Sequence, residues 1–245
     1  MLARRLEPEV MDTAEDARDY DGMDHRAVNR LFVQDFLAFA GQHSPTFSRR
    51  CEGRSPCLLD VGTGTAQIPI ELLRHDAACE VIAIDLAEEM LKLARRNIER
   101  AGFQAAIRVE LADAKHLPYS NGRFDAVISN SIVHHIPQPL DVLAEMVRVL
   151  KPGAPLFVRD LLRPQTTDEL DRLVATYAGQ ENAHSQQLFR DSLHAALSLA
   201  ELRELAESLL IPDSAIAQTS DRHWTLAWVT PGIENPLPVP GSPQN

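Results

Sequence analysis

The segment LLDVGTGTAQIPIEL, Leu58 to Leu72, places an acid and two glycines where an apolar run gives way to a helical pattern. Asp60, Gly62 and Gly64 fall at alternate positions. Glycine lets the backbone turn tightly and lets a ligand approach the main chain. The start of the following helix offers free N–H groups. A second apolar run, Val81 to Ile84, closes on Asp85. A carboxylate there can accept hydrogen bonds from both hydroxyls of a ribose, or it can cap the helix that begins near Leu86. A dinucleotide fingerprint sets its third glycine where this chain has Gln67, so that pattern is not met. Asn130 ends the run FDAVISN, at the place where strand order in a doubly wound sheet reverses and ligands bind.

Proton-handling groups follow the same strands. His134 and His135 lie just past Asn130, and Asp160 sits in VRDLLRP. One histidine could take a proton from a bound substrate; the pair could equally shape a packed loop beside Ile136 and Pro137. Side chains alternate along an extended chain, so at most one histidine is expected to face a ligand. Arg163 could hold an anionic group or pair with Asp160. No catalytic base is assigned.

These residues need a frame. Apolar runs at Cys57–Val61, Val81–Ile84, Ile107–Leu111 and Phe124–Ser129, with a fifth beginning at Leu156–Val158, read as strands. Helical patterns lie between them, at Ala66–His75, Glu88–Ala101 and Pro139–Leu150, and Gly102 stops the second. Such alternation predicts a parallel sheet covered on both faces. Before it, Asp24–Ala40 shows Val28, Leu31, Phe32, Phe36 and Phe39 on one helical face. After it, Thr166 with Glu169 and Ser198 with Glu201 read as helix starts, and helices are expected over 168–178 and 187–197. Ile216–Val229 suggests two strands around the turn Ser220–Arg222. Pro231–Asn245 is Pro- and Gly-rich and is expected to be a disordered tail.

The 245 residues carry a formal net charge of −11, which disfavours a partner bound through its phosphate backbone. No apolar run reaches the roughly 20 residues of a membrane span, and MLARRLEPEV lacks the features of a secretory signal. A cytoplasmic location is expected. Cys51, Cys57 and Cys79 match no zinc or redox spacing, and no metal is expected. Nothing specifies an oligomeric state.

Asp60, Gly62, Gly64 and Ala66 resemble the motif of class I S-adenosylmethionine-dependent methyltransferases, with Ala66 in place of the commoner glycine. Asp113–Ala114 after the third strand and the turn Lys151–Pro152–Gly153, with Ala154 as a departure, extend the resemblance over Cys57 to Val158. The small-molecule branch, which includes quinone-biosynthesis enzymes, is the most similar. The resemblance implies an α/β, Rossmann-like, seven-stranded, mostly parallel sheet with an antiparallel edge strand and helices on both faces. It implies an N-terminal helical cap (1–50), a methyltransferase domain (51–230) and the tail (231–245). It implies S-adenosylmethionine held by Asp60, Gly62, Thr63, Gly64, Asp85, Leu86, Asp113, Ala114 and Asn130. In that family the residue at Asp113 accepts the adenine amino group. The acceptor is then a small molecule, with His134, His135 and Asp160 the candidate catalytic groups. A non-catalytic binder of the same cofactor and a nicotinamide oxidoreductase are the alternatives.

Overall fold

A computed structural model describes residues 2–7, 12–22, 25–44, 47, 55–75 and 79–232. Two helices, α1 (Ala14–Gly22) and α2 (Arg26–His43), precede the sheet. Then follow β1 (Cys57–Val61), α3 (Gln67–His75), β2 (Glu80–Asp85), α4 (Glu88–Ala101), β3 (Ile107–Leu111) and β4 (Ala126–Asn130). A 3-10 turn at Val133–His135 leads to α5 (Pro139–Val149) and β5 (Pro155–Leu161). Three helices, α6 (Thr167–Tyr177), α7 (Ala183–Ala195) and α8 (Leu199–Ser208), come before β6 (Ile216–Gln218) and β7 (His223–Val229).

The seven strands lie in the order β3-β2-β1-β4-β5-β7-β6. β1 through β5 pair in parallel, and β7 runs antiparallel to both β5 and β6. Successive strands leave β1 in opposite directions, so the sheet's switch point lies between β1 and β4. Ligands of open α/β sheets bind beyond the carboxyl ends of the strands at such a point.

Side chains alternate along each strand, and the core divides accordingly. Leu59, Val61, Ile82, Ile84 and Val127 face the layer that contains α5 and α8. Leu58, Val81, Ala83, Ala126, Ile128 and Phe157 face α2, α3 and α4. Asp60 has the parity of Leu58 and is carried into that second, apolar layer. The α2 helix is part of this core. Phe32 and Phe36 are fully buried and meet the Phe157 ring edge-on at centroid distances of 5.3 and 5.9 Å. Each such ring stabilises the fold by ~1.5–3 kcal/mol.

Several boundaries differ from those read off the sequence. β5 continues through Arg159 and Asp160 because both find partners: Arg159 Nε donates to Thr225 Oγ1 at 2.9 Å and its Nη2 to the half-exposed Asp35 at 2.7 Å, and Asp160 meets the buried His134 Nδ1 at 2.5 Å. The α7 helix starts at Ala183, where the Asn182 side chain accepts from Ser185 N–H. It ends before Leu197, which instead bridges to Leu162 in extended form. The reciprocal capping box of Ser198 and Glu201 forms as read. The α1 helix has no counterpart among the expected elements. Most of the expected tail lies outside the described residues, as do Asp24, the first residue of the expected first helix, and Cys51.

Candidate cofactor crevice

Gly62, Gly64, Asp85, Leu86, Asp113, Ala114 and Asn130 all line one crevice at the carboxyl ends of β1, β2 and β4. Asp60 and Thr63 are buried behind it, 2% and 8% exposed. The turn after β1 is built from left-handed backbone. Gly62 has φ +75° and Gly64 has φ +54°. A Cβ on Gly62 would fall 2.0 Å from Ile132 Cγ2, so only glycine fits there. Ala66 also adopts a left-handed φ of 61°. Its methyl is fully buried against the α2–α3 layer, which offsets part of the ~1–2 kcal/mol that conformation costs a residue with a Cβ.

Asp85 holds this turn from below. Its Oδ2 accepts from Gly64 N–H at 2.8 Å and its Oδ1 from Ala87 N–H at 2.9 Å. Asp85 is not the N-cap of α4, a place taken by Ala87, but its carboxylate orders the entry to that helix and also lines the crevice. Burial raises its pKa above the usual carboxylate range, against these backbone bonds. A carboxylate has about four acceptor sites. Two are in use, and two remain for hydroxyls of a ligand.

Asp60 is more exclusively buried. Burial, opposed by the Thr63 hydroxyl and reinforced by the Asp85 charge, pushes its carboxyl up to about 7. Apart from each other, Asp60 Oδ2 and Thr63 Oγ1 have no hydrogen-bond partner among the described residues. Such orphaned buried groups are costly, and together they suit a ligand that brings a positive charge or donors. Asp113, at the far side, is tied by Oδ1 to Lys115 N–H at 2.9 Å and Nζ at 3.0 Å. Burial is outweighed by Lys115, and its carboxyl lies below the usual range.

Tyr20 of α1 closes the crevice over Gly64. Burial and the carboxylates of Asp85, Asp60 and Asp21 push its phenol up to about 12, so it stays protonated and can donate. Asp21 fixes α1 in place by accepting from Asn97 Nδ2 at 2.7 Å. Apolar surface comes from Met90, Ile132 and Ile136.

The histidines follow a different geometry from the extended chain expected. They occupy a 3-10 turn, with ring centroids 4.1 Å apart. His135 lines the crevice. His134 is buried, with Nδ1 2.5 Å from Asp160 Oδ1. Asp160 also accepts from Val133 N–H at 2.5 Å, so it positions the turn rather than facing a ligand. The Asp160–Arg163 pair, one of the two readings of Arg163, does not form. Arg163 is buried and donates through Nη2 to both carboxylate oxygens of Glu201, at 2.7 and 2.8 Å, which leaves it no role as an anion clamp in the crevice. Glu7, which no sequence pattern singles out, lies beside both histidines.

Residues 59–158 match the family model described as a methyltransferase domain. The chain is 30% identical over 167 residues to a demethylmenaquinone methyltransferase of Protochlamydia amoebophila, covering 63% of this chain and 68% of that protein. It is 32% identical over 113 residues to methyltransferase GfsG of Streptomyces halstedii, covering 46% of this chain but only 40% of that protein. A solved chain of Methanococcus maripaludis, assigned to the S-adenosyl-L-methionine-dependent methyltransferases, superimposes with a TM-score of 0.68 at 15% identity, over 95% of this chain and 99% of that one. At that identity the likeness speaks for the fold alone. The motif, the switch-point crevice and these relatives agree: the chain belongs to the class I S-adenosylmethionine-dependent methyltransferases.

Proposed function

We propose that this protein transfers the methyl group of S-adenosylmethionine to a small-molecule acceptor. The observation that carries the proposal is the convergence of Gly62, Gly64, Asp85, Asp113 and Asn130 on one crevice roofed by Tyr20. The cofactor is a nucleoside with an attached amino acid, and its sulfonium makes the methyl group electrophilic without further activation. The residues fit it. Gly62 admits Ile132 as the crevice wall, Gly64 leaves room for close approach beneath Tyr20, Asp85 has acceptor sites for the ribose, and the buried Asp60 Oδ2 suits a cationic group. The protein's part is to orient the acceptor in line with the methyl carbon and to exclude water. Tyr20, Met90, Ile132 and Ile136 supply the enclosing surface.

The net charge of −11 and the small-molecule substrate named for the Protochlamydia relative favour a metabolite acceptor over nucleic acid. Among the described residues no helix is long and apolar enough to cross a membrane. The test is an assay with methyl-labelled donor against separate small-molecule, nucleic-acid and protein fractions. Label is expected in the small-molecule fraction. Label confined to either macromolecular fraction would contradict the proposal.

Asp60 gives this reading a pH signature. In the free protein its carboxyl sits near 7, against an ordinary ~3.9 in the unfolded chain. The stability it contributes is thus full below the ordinary range and is lost as pH rises to about 7. A cationic ligand favours the ionised form, so binding below pH 7 must release a proton. Cofactor affinity is expected to rise with pH up to about 7, by at most tenfold per unit, and then level. Asp60→Asn should flatten that slope. A flat profile in the unaltered protein would exclude Asp60 as the charged partner.

A further inference from the structure

The segment 2–7 crosses the turn that follows β4 and is fastened there. Arg4 donates from Nη2 to the carbonyls of His134 and Ile136 at 3.2 and 3.0 Å, and from Nε to that of Ala195 at 2.7 Å. Arg5 N–H donates to the His194 carbonyl at 3.1 Å. This docking sets Glu7 against the histidine pair. Glu7 Oε1 lies 3.5 Å from His134 Nε2 and 3.1 Å from His135 Nδ1, and the three atoms all fall within 4.8 Å of one another. The side chains of Glu7 and His134 are only 9% and 4% exposed. The second oxygen of Glu7 accepts from Ser192 Oγ at 3.2 Å, while among the described residues Oε1 and His135 Nδ1 have no hydrogen-bond partner beyond their contact with each other.

The arrangement around His134 decides between readings. Asp160 accepts at Nδ1, which fixes the proton there in the neutral ring and turns the Nε2 lone pair toward a carboxylate. A positive charge between them would satisfy both. A proton is one choice, but a charge-assisted N–H···O bond spans ~2.7–2.9 Å, shorter than the gap here. The two Glu7–histidine separations, 3.5 and 3.1 Å, instead bracket the roughly 3.3 Å between neighbouring ligands of a tetrahedral ion with bonds of ~2.0–2.1 Å. A carboxylate behind a ligating histidine is also the usual outer support of such an ion.

We propose that Glu7, His134 and His135 bind a divalent transition metal of the zinc type, with Asp160 as the outer carboxylate. Two nitrogens and one oxygen suit zinc or cobalt, and three protein ligands leave a position open. His135 also lines the cofactor crevice, so the ion sits at its rim. A role in holding an oxygen of the acceptor rests on the methyl-transfer reading; binding of the ion does not.

The test is titration of untagged, chelator-treated protein with Co²⁺, read by visible d–d absorption, followed by displacement with Zn²⁺. One equivalent should bind with bands of low-symmetry, four- or five-coordinate cobalt. Glu7→Gln and His134→Gln should each weaken binding at least tenfold, and Asp160→Asn by 10–100-fold. His116→Ala, at an exposed histidine on the crevice's far side, should leave it unchanged. Because His134 is buried, circular dichroism checks each variant, and Glu7→Gln alone suffices if the others unfold. Absence of Co²⁺ binding, or binding indifferent to Glu7→Gln, overturns the proposal. The chelated protein should still bind S-adenosylhomocysteine, so failure of the metal site and failure of the cofactor reading give different results.

Discussion

Replacing Asp85 with Ala is expected to weaken binding of S-adenosylhomocysteine at least tenfold. The carboxylate spends two acceptor sites on Gly64 and Ala87 N–H groups and has two left for the ribose hydroxyls. Each bond from a hydroxyl to a charged acceptor contributes ~1.5–3 kcal/mol, and ~1.4 kcal/mol is a factor of ten in affinity. Losing both predicts a reduction of a hundredfold or more. Some of that is offset because the substitution also removes a buried charge. Calorimetry gives the affinity, and the melting temperature of the free protein gives the cost of freeing the turn. An unchanged affinity with a lowered melting temperature would confine Asp85 to holding the turn.

The second large effect is expected at Gly62. A methyl group there meets Ile132 Cγ2 at 2.0 Å and Ile132 Cβ at 2.9 Å, on a residue with φ +75°. Left-handed strain costs ~1–2 kcal/mol and overpacking a further ~1–3. Gly62→Ala should therefore destabilise the protein by about 2–5 kcal/mol, or roughly 5–20 °C in Tm at this size. It should also narrow the crevice, because Ile132 forms its wall. Gly64→Ala is the control. Its methyl meets only Tyr20 Cε1, at 3.5 Å, so the strain remains and the clash is absent. Thermal melts of the two variants check the difference. Equal losses would mean that Ile132 yields freely and that the close approach at Gly62 is not what selects glycine.

The sheet and most of the crevice were legible in the sequence because both depend on local pattern. Short continuous apolar runs placed β1 to β4, and Gly102, left-handed at φ 78°, ended α4 where expected. Gly62, Asp85 and Asp113 were found because each closes or follows a strand at the same edge. What was not legible depends on partners distant in the chain. Arg159 and Asp160 follow the apolar start of the fifth strand, and Asp35, Thr225 and His134 are the partners that hold them within it. Arg163 was placed near ligands by its position, but Glu201 on α8 occupies it. Nothing in the spacing of Tyr20 shows that α1 lays it over Gly64. Glu7 carried no signal at all, since its partners are brought to it by the folded turn after β4.

The central claim, that this crevice is built for S-adenosylmethionine, is tested most directly by calorimetric titration of the unaltered protein with S-adenosylhomocysteine and, separately, with NAD. One site for S-adenosylhomocysteine and no detectable binding of NAD are expected. The motivating set is Asp60, Gly62, Gly64, Asp85 and Asp113, with Gln67 where a dinucleotide fingerprint needs glycine. Tight binding of NAD with no response to S-adenosylhomocysteine would contradict it.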